Sequence, residues 1–172
     1  MKPYTKSLIA LSLVTFATYG VLVGIGAANL ILGEDGLKPF DLRLAGYTFI
    51  EAQAYLALMN DDQAALYIGL LRRIDTVFPM LMGLWMGWCL WGLTRGIHPW
   101  SRIILLVVPA SYTVMDLCEN ALVADMVRQG ATGLEGELVS LASSYTVTKF
   151  VMLFVAFGLL IAMMIRASQE SK

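Results

Sequence analysis

The sequence predicts an all-α fold, an integral membrane four-helix bundle formed by a single transmembrane domain over residues 1–172. Hydrophobic residues make up 58% of the chain, charged residues only 15%, and the mean hydropathy is +0.71. This composition is too apolar for an ordinary soluble domain. Four apolar stretches also reach the length of roughly 20 residues that a membrane-spanning helix needs.

Composition also argues against several classes of function. A net charge of −1 without a cluster of Lys or Arg indicates no nucleic-acid binding. One His and two Cys cannot assemble an ordinary zinc site or a bis-histidine haem, so we predict no metal and no cofactor. Cys89 and Cys118 are predicted in opposite halves of the membrane, beyond disulfide reach.

The first predicted span covers about residues 7–32. It is longer than the apolar core of about 7–15 residues in a cleaved signal peptide, so we interpret it as a retained signal anchor. Gly20, Gly24 and Ala28 form a ridge of small residues that permits another helix to approach closely. We expect this ridge to pack within the chain, and a partner in a membrane complex is the alternative.

An acidic loop follows, and it contains a helix start signal. Thr48 and Glu51 have the spacing of a capping box, in which a hydroxyl and a carboxylate each satisfy a free backbone N–H. We therefore predict a short amphipathic helix over about residues 48–60, on the periplasmic side between spans one and two. It is apolar enough to lie on the membrane surface or to cap the bundle.

The other three spans are predicted over about residues 70–94, 103–124 and 145–166. The short link 95–102 makes spans two and three antiparallel neighbours. Pro79 interrupts the second span, and we expect a neighbouring helix or a Ser/Thr side chain to satisfy the backbone carbonyl that it leaves free.

Charge predicts the orientation of the four spans. The N-terminus, the 95–102 link and the C-terminal tail carry six basic residues against Glu170 alone, whereas the other loops and spans carry six basic and twelve acidic residues. By the positive-inside rule, both termini are cytoplasmic in a multi-pass protein of the bacterial inner membrane. The six basic residues are Lys2, Lys6, Arg95, Arg102, Arg166 and Lys172.

The third span carries a polar face. Tyr112, Asp116, Glu119 and Asn120 lie at i, i+4, i+7 and i+8, which places them on one side of a helix. An ionisable group in a bilayer costs about 2.5–3.5 kcal/mol on insertion scales, so such groups face a bundle interior or a wet cavity.

Helical rise predicts that polar residues of three spans meet at one depth. A rise of 1.5 Å per residue places Asp116, Glu119, Lys149 and Asp75 about 21–30 Å from the cytoplasmic ends of their helices, in a core about 30 Å thick. We therefore predict a pocket in the outer half of the bundle. Its predicted ligand-binding residues are Asp116, Glu119, Asn120, Lys149, Asp75, Tyr112, Arg72 and Arg73, with Asp41, Arg43, Tyr47 and Glu51 of the loop as a lid.

Two interpretations of this cluster stay open. In the structural one, Lys149 pairs with Glu119 or Asp116, the arginine pair of the second span pairs with Asp75, and these bridges fix the order of the helices. In the functional one, three carboxyls share one Lys, so at least one is a candidate for a neutral, proton-donating form.

The favoured function is a periplasm-facing acidic pocket that binds a small or lipidic ligand. One alternative is an accessory or assembly subunit of a larger membrane complex, which docks through Gly20, Gly24 and Ala28. Another is a membrane enzyme that uses Asp116 and Glu119 as an acid/base pair, although an i, i+3 pair is common by chance. The sequence leaves open whether the protein is an enzyme.

Three short motifs resemble a family of uncharacterised bacterial four-helix membrane proteins. They are Asp41 to Tyr47 with the form D-x-x-x-x-G-Y, Asp75 to Pro79 with the form D-x-x-F-P, and Asp116 to Asn120 with the form D-x-x-E-N, together covering roughly residues 40–120. Thr48, Glu51 and Tyr67 belong to the same pattern. The resemblance implies a fold and a polar site, and no activity.

Overall fold

The computed structural model describes residues 2–170, and it confirms the all-α membrane bundle. Four helices are long and apolar enough to cross a membrane, so the chain is a multi-pass integral membrane protein in contact with the lipid bilayer. Lys172, which contributes to the predicted orientation, lies outside the described residues.

Seven α-helices, one short 3₁₀ helix and one π-helical turn follow each other along the described chain. In order they are α1 (Pro3–Leu30), a 3₁₀ helix (Phe40–Leu42), α2 (Phe49–Leu58), α3 (Asp61–Leu66), the π-helical turn (Tyr67–Leu71), α4 (Arg72–Leu93), α5 (Pro99–Leu105), α6 (Val107–Gly133) and α7 (Gly136–Glu170).

The membrane-crossing helices are longer than the predicted spans, although the first ends at Leu30 and the second at Leu93, slightly before the predicted ends at 32 and 94. The second crossing runs as one helix over Asp61–Leu93, because the junctions at Leu66 and Leu71 keep right-handed helical geometry. The third occupies Pro99–Gly133 and the fourth Gly136–Gln169. Hydropathy located the apolar centre of each helix, whereas backbone hydrogen bonding carries each helix onward into its polar ends.

The helices form a three-helix centre with α1 at its side. The helices α6 and α7 pack along each other, α4 packs against both, and α1 packs along α4. Contacts of Tyr4 with Trp88 and Arg95, and of Arg166 with the Gly96 carbonyl, bring the N-terminal, link and C-terminal segments to one end of the bundle. We call this the link end, and the opposite end the loop end.

The loop helix and its capping box are confirmed. The Glu51 carboxylate accepts from the Thr48 N–H at 2.7 Å, and the Glu51 N–H donates to the Thr48 hydroxyl at 3.3 Å. Tyr55 is fully buried, and its hydroxyl donates to the Leu30 carbonyl at the end of α1. The helix α2 therefore caps the loop end by packing against α6. An equivalent box between Asn60 and Gln63 begins α3, and the sequence reasoning missed it.

The expected packing of the small-residue ridge within the chain is wrong. A Cβ atom on Gly20 or Gly24 would meet nothing within 4 Å, and Ala28 is exposed. The helix α1 instead contacts α4 through bulky side chains, as in the ring contact between Tyr19 and Phe78 with centroids 5.3 Å apart. These aromatic contacts determine how α1 is rotated, and they turn the ridge outward.

Candidate functional site

A buried ion-pair network joins α6 to α7. Lys149 Nζ lies 2.9 Å from Asp116 Oδ1 and also forms an ion pair with Glu119. The Tyr112 hydroxyl donates to Asp116 Oδ2 at 2.9 Å, and the Thr146 hydroxyl donates to Glu119 Oε1 at 2.5 Å. None of the five residues is more than 5% exposed. The predicted pairing of Lys149 is therefore confirmed, and it involves both carboxylates.

Thr146 is a member of this network that sequence reasoning missed. It precedes Lys149 by three residues, so the two side chains share one face of α7. This three-residue spacing is the feature of the sequence from which the position of Thr146 beside Lys149 could have been predicted. Thr146 also donates to the Ala142 carbonyl, which anchors its hydroxyl beside Glu119.

Asn120 connects α6 to α4. Its side-chain amide donates to the backbone carbonyl of Asp75 at 3.0 Å. Pro79 has no N–H, so this carbonyl lacks its usual helical donor four residues later. The prediction that a neighbouring helix would satisfy the carbonyl is confirmed.

The expected bridge between the arginine pair and Asp75 does not form among residues 2–170. Arg72 donates to the backbone carbonyl of Asn120 instead, because its guanidinium extends across to α6. Arg73 is exposed and lies in a shallow groove beside Ala17 and Val21, so it does not join the cluster. The Asp75 carboxyl makes no hydrogen bond or ion pair within the described part of the chain.

A cavity of about 290 Å³ lies beside this network, near the loop end. Its polar lining residues come mainly from the second crossing and α6, whereas α1 contributes mainly apolar residues and α7 contributes both kinds. The polar lining residues are Asp41, Tyr67, Arg72, Asp75, Tyr112, Asp116, Asn120 and Lys149. Leu22, Val23, Gly26, Phe150 and Leu153 are among the apolar ones.

Glu119 does not line the cavity. It is fully buried behind Asp116, where Lys149 and Thr146 hold its two carboxylate oxygens. Asp116 does line the cavity, but both of its oxygens are also engaged. An acid/base reaction by this pair therefore gains no support from the geometry.

Of the four predicted lid residues, Asp41 borders the cavity. Its carboxylate accepts from the Tyr67 hydroxyl at 2.8 Å, which fastens the 3₁₀ helix to the π-helical turn. Pro39 and Leu42 line the same end of the cavity. This segment covers the cavity from the loop end.

The other three lid residues stabilise the cap without lining the cavity. The Arg43 guanidinium lies 5.3 Å from the Phe40 ring centroid and 5.2 Å from that of Tyr55, and it donates to the Lys38 carbonyl. Tyr47 packs against Phe40, and burial raises the pKa of the Tyr47 phenol. Glu51 is exposed, and its carboxylate accepts the hydrogen bonds of the capping box from Thr48.

Among residues 2–170, no group of three or more His, Cys, Asp or Glu side chains is arranged to hold a metal ion. Cys89 and Cys118 are free thiols. The prediction of no cofactor stays a prediction.

Comparisons with family models, with curated proteins and with solved structures gave no match. The resemblance to bacterial four-helix membrane proteins therefore stays an expectation based on its three motifs.

Proposed function

We propose that the protein binds a small or lipidic ligand in the cavity between α1, α4, α6 and α7. The observation that carries the proposal is the mixed lining of this cavity, which is mostly apolar and includes polar side chains from α4, α6 and α7. Ligand sites are concave and mostly apolar, with a few polar groups that orient the ligand. The volume of about 290 Å³ is close to the lower end of the usual range of about 300–1,000 Å³.

The cost of an empty cavity beside a polar side chain supports the presence of a bound ligand. The ion pairs of Lys149 lie within the buried network. The packing order of the helices therefore does not require a cavity beside it. Protein interiors contain few voids larger than a water molecule. The Asp75 carboxyl on this cavity has no partner in the described part of the chain, and an occupant explains such a cavity better than bundle assembly alone.

The π-helical turn is a second support. Tyr67, Ile68 and Leu71 all line the cavity, and they belong to the turn that interrupts α-helical hydrogen bonding between α3 and α4. Single π-helical turns inside α-helices occur frequently at functional sites. The turn places Tyr67 within hydrogen-bonding distance of Asp41.

We also propose that the cavity faces the periplasm of a bacterium. The basic residues of both termini and of the link favour a cytoplasmic location for the link end. The loop end, with α2 and the cavity, is then periplasmic. The resemblance to bacterial inner-membrane proteins supports the same location.

The experiment compares two glycine variants of α1. Gly26 lines the cavity and Gly20 does not, and a Cβ atom on either would meet nothing within 4 Å. Gly26→Leu therefore fills the cavity, whereas Gly20→Leu makes the same change on an outer face. Native mass spectrometry of protein gently extracted from its own membrane should show a discrete bound mass in wild type and Gly20→Leu that is lost in Gly26→Leu. A bound mass that persists in Gly26→Leu, or none in wild type, contradicts the proposal.

An accessory subunit of a membrane complex is the second candidate. The observation that favours it is the outward ridge of Gly20, Gly24 and Ala28, which no helix of the described chain covers. This candidate predicts that Gly20→Leu or Gly24→Leu dissociates a larger complex while Gly26→Leu leaves it assembled. Extraction of the protein without any stoichiometric partner counts against it.

A further inference from the structure

We infer that the ligand is an amphiphile with a single cationic head group, which binds at Asp75 while its apolar chain lies between α1 and α7. A protonated amine and a quaternary ammonium share the chemistry required. This inference rests on the proposed function and specifies the ligand of the same cavity.

The balance of charge around the cavity favours a cation. Three carboxyls line it, those of Asp41, Asp75 and Asp116, against the two basic groups of Arg72 and Lys149. Glu119, directly behind, shares Lys149 with Asp116. One lysine is therefore shared by two carboxylates, so it does not remove the acid excess of the lining.

Asp75 is the cavity-lining carboxyl that has no partner among the described residues. Asp41 accepts a hydrogen bond from Tyr67, and Arg72 is directed to the backbone carbonyl of Asn120. Neither contact provides a partner for the Asp75 carboxyl, which makes no hydrogen bond or ion pair among residues 2–170. An uncompensated carboxylate inside a membrane bundle is costly, so a bound cation stabilises it.

Aromatic rings surround the same space, and this is an independent observation that points to a cation. Six of them line the cavity, from Phe16, Tyr19, Tyr67, Phe78, Tyr112 and Phe150. Tyr67 and Tyr112 line the same cavity as Asp75. A carboxylate with several ring faces is the arrangement that recognises ammonium groups.

The apolar wall determines where the chain of the ligand lies. Leu22, Val23 and Gly26 of α1 face Phe150 and Leu153 of α7 across the cavity. The helix α1 packs along α4 and the π-helical turn, and the cavity separates its inner face from α7. We therefore place the apolar chain of the amphiphile between the residues of α1 and α7 that line the cavity.

The test uses three probes that differ only in the head group: dodecylamine, dodecanol and dodecanoate. Binding to the protein in lipid nanodiscs is measured for wild type, Asp75→Asn and Asp75→Glu at neutral pH. Wild type should bind the amine about tenfold or more tightly than the alcohol, with the carboxylate weakest, because a charge-assisted hydrogen bond is stronger than a neutral one. Asp75→Asn should lose this preference and Asp75→Glu should retain it.

Asp125→Asn is the matched control. This carboxyl is exposed and paired with Arg128, away from the cavity, so its removal should leave the amine preference unchanged. Gly26→Leu should weaken binding of all three probes alike, because it fills the space that the common chain occupies.

The outcomes separate this inference from the proposed function. Equal binding of the three probes, or tighter binding of dodecanoate, overturns the cationic head group while the cavity remains a ligand site. An amine preference that survives in folded Asp75→Asn overturns the assignment to Asp75. If none of the three probes binds but wild type still carries a bound mass in its native membrane, the ligand is not such an amphiphile. If none binds and no bound mass is found, the proposed function itself is wrong.

Discussion

The side-chain amide of Asn120 donates to the backbone carbonyl of Asp75, at 3.0 Å, across the interface between α6 and α4. Pro79 leaves that carbonyl without a helical donor, and the fold supplies one from another helix. Asp75 also lines the cavity, and its carboxyl has no partner among residues 2–170. Bundle assembly and the candidate site therefore depend on one side chain.

Replacing Asn120 by Ala should destabilise the bundle by about 1–3 kcal/mol, because it leaves a buried carbonyl without a donor. Pro79→Ala restores a backbone N–H at position 79, so Asn120→Ala should cost less in that background. Unfolding in mixed micelles with increasing dodecyl sulfate measures both differences. Asn29→Ala is the control, since Asn29 is exposed and, among the described residues, its side-chain amide donates only to the Ile25 carbonyl of its own helix. An equal cost in both backgrounds contradicts the assignment.

Replacing Lys149 by Met should destabilise the protein by about 3–5 kcal/mol, because it leaves two buried carboxylates without a counter-charge. Adding Asp116→Asn and Glu119→Gln removes both charges and should recover most of the loss. Arg128→Met breaks only an exposed pair and should change the unfolding free energy by about 0–1 kcal/mol. If the triple variant unfolds as easily as the single one, the network does not act by charge compensation.

The stability of α2 should fall on the acid side through Glu51. Hydrogen bonds from the Thr48 N–H and hydroxyl lower the pKa of this carboxyl below its ordinary value of 4.5. A group whose pKa is lower in the folded state contributes stability above its unfolded pKa and loses it as the pH falls through the folded pKa. The melting temperature of the loop cap should therefore fall as the pH drops below 4.5.

Glu51→Gln provides the control for this pH dependence. Gln at this position keeps a capping box but cannot titrate, so this part of the pH dependence should disappear. Thr48→Ala should instead lower stability by about 1 kcal/mol at neutral pH. An unchanged acid-side slope in Glu51→Gln contradicts the expected role of this carboxyl.

Single-cysteine labelling tests the proposed orientation, in a background in which Cys89 and Cys118 are replaced by Ala. Asp35→Cys lies in the loop before α2 and should react with a membrane-impermeant maleimide on intact spheroplasts. Gly96→Cys lies in the link and should react only after the membrane is disrupted. The reverse pattern would show that the link end is periplasmic, against the positive-inside rule.

Several features of the site were predictable because they depend on local rules. Helical periodicity placed Tyr112, Asp116, Glu119 and Asn120 on one face, and helical rise brought Lys149 to the same depth. The capping box at Thr48 was readable because both of its hydrogen bonds lie within four residues. Each of these inferences needs only a short segment or the fixed geometry of one helix.

Other features depended on contacts between distant segments. Arg72 was expected to pair with Asp75, three residues away, and it bonds across to Asn120 instead. The ridge at Gly20 and Gly24 was expected to pack inward, and it faces outward. Helical spacing shows which side chains share a face, but it does not show which neighbour that face meets.

The sequence alone therefore determined the membrane class, the number of spans and the buried polar face of α6, because hydropathy and helical period are properties of single segments. The tertiary structure alone decided that a cavity exists and that Asp75 lines it without a partner from the residues that the structure describes. Both depend on how α1 lies against α4, and aromatic contacts such as Tyr19 with Phe78 determine that arrangement. Such contacts join residues far apart in the chain, so no local pattern contains them.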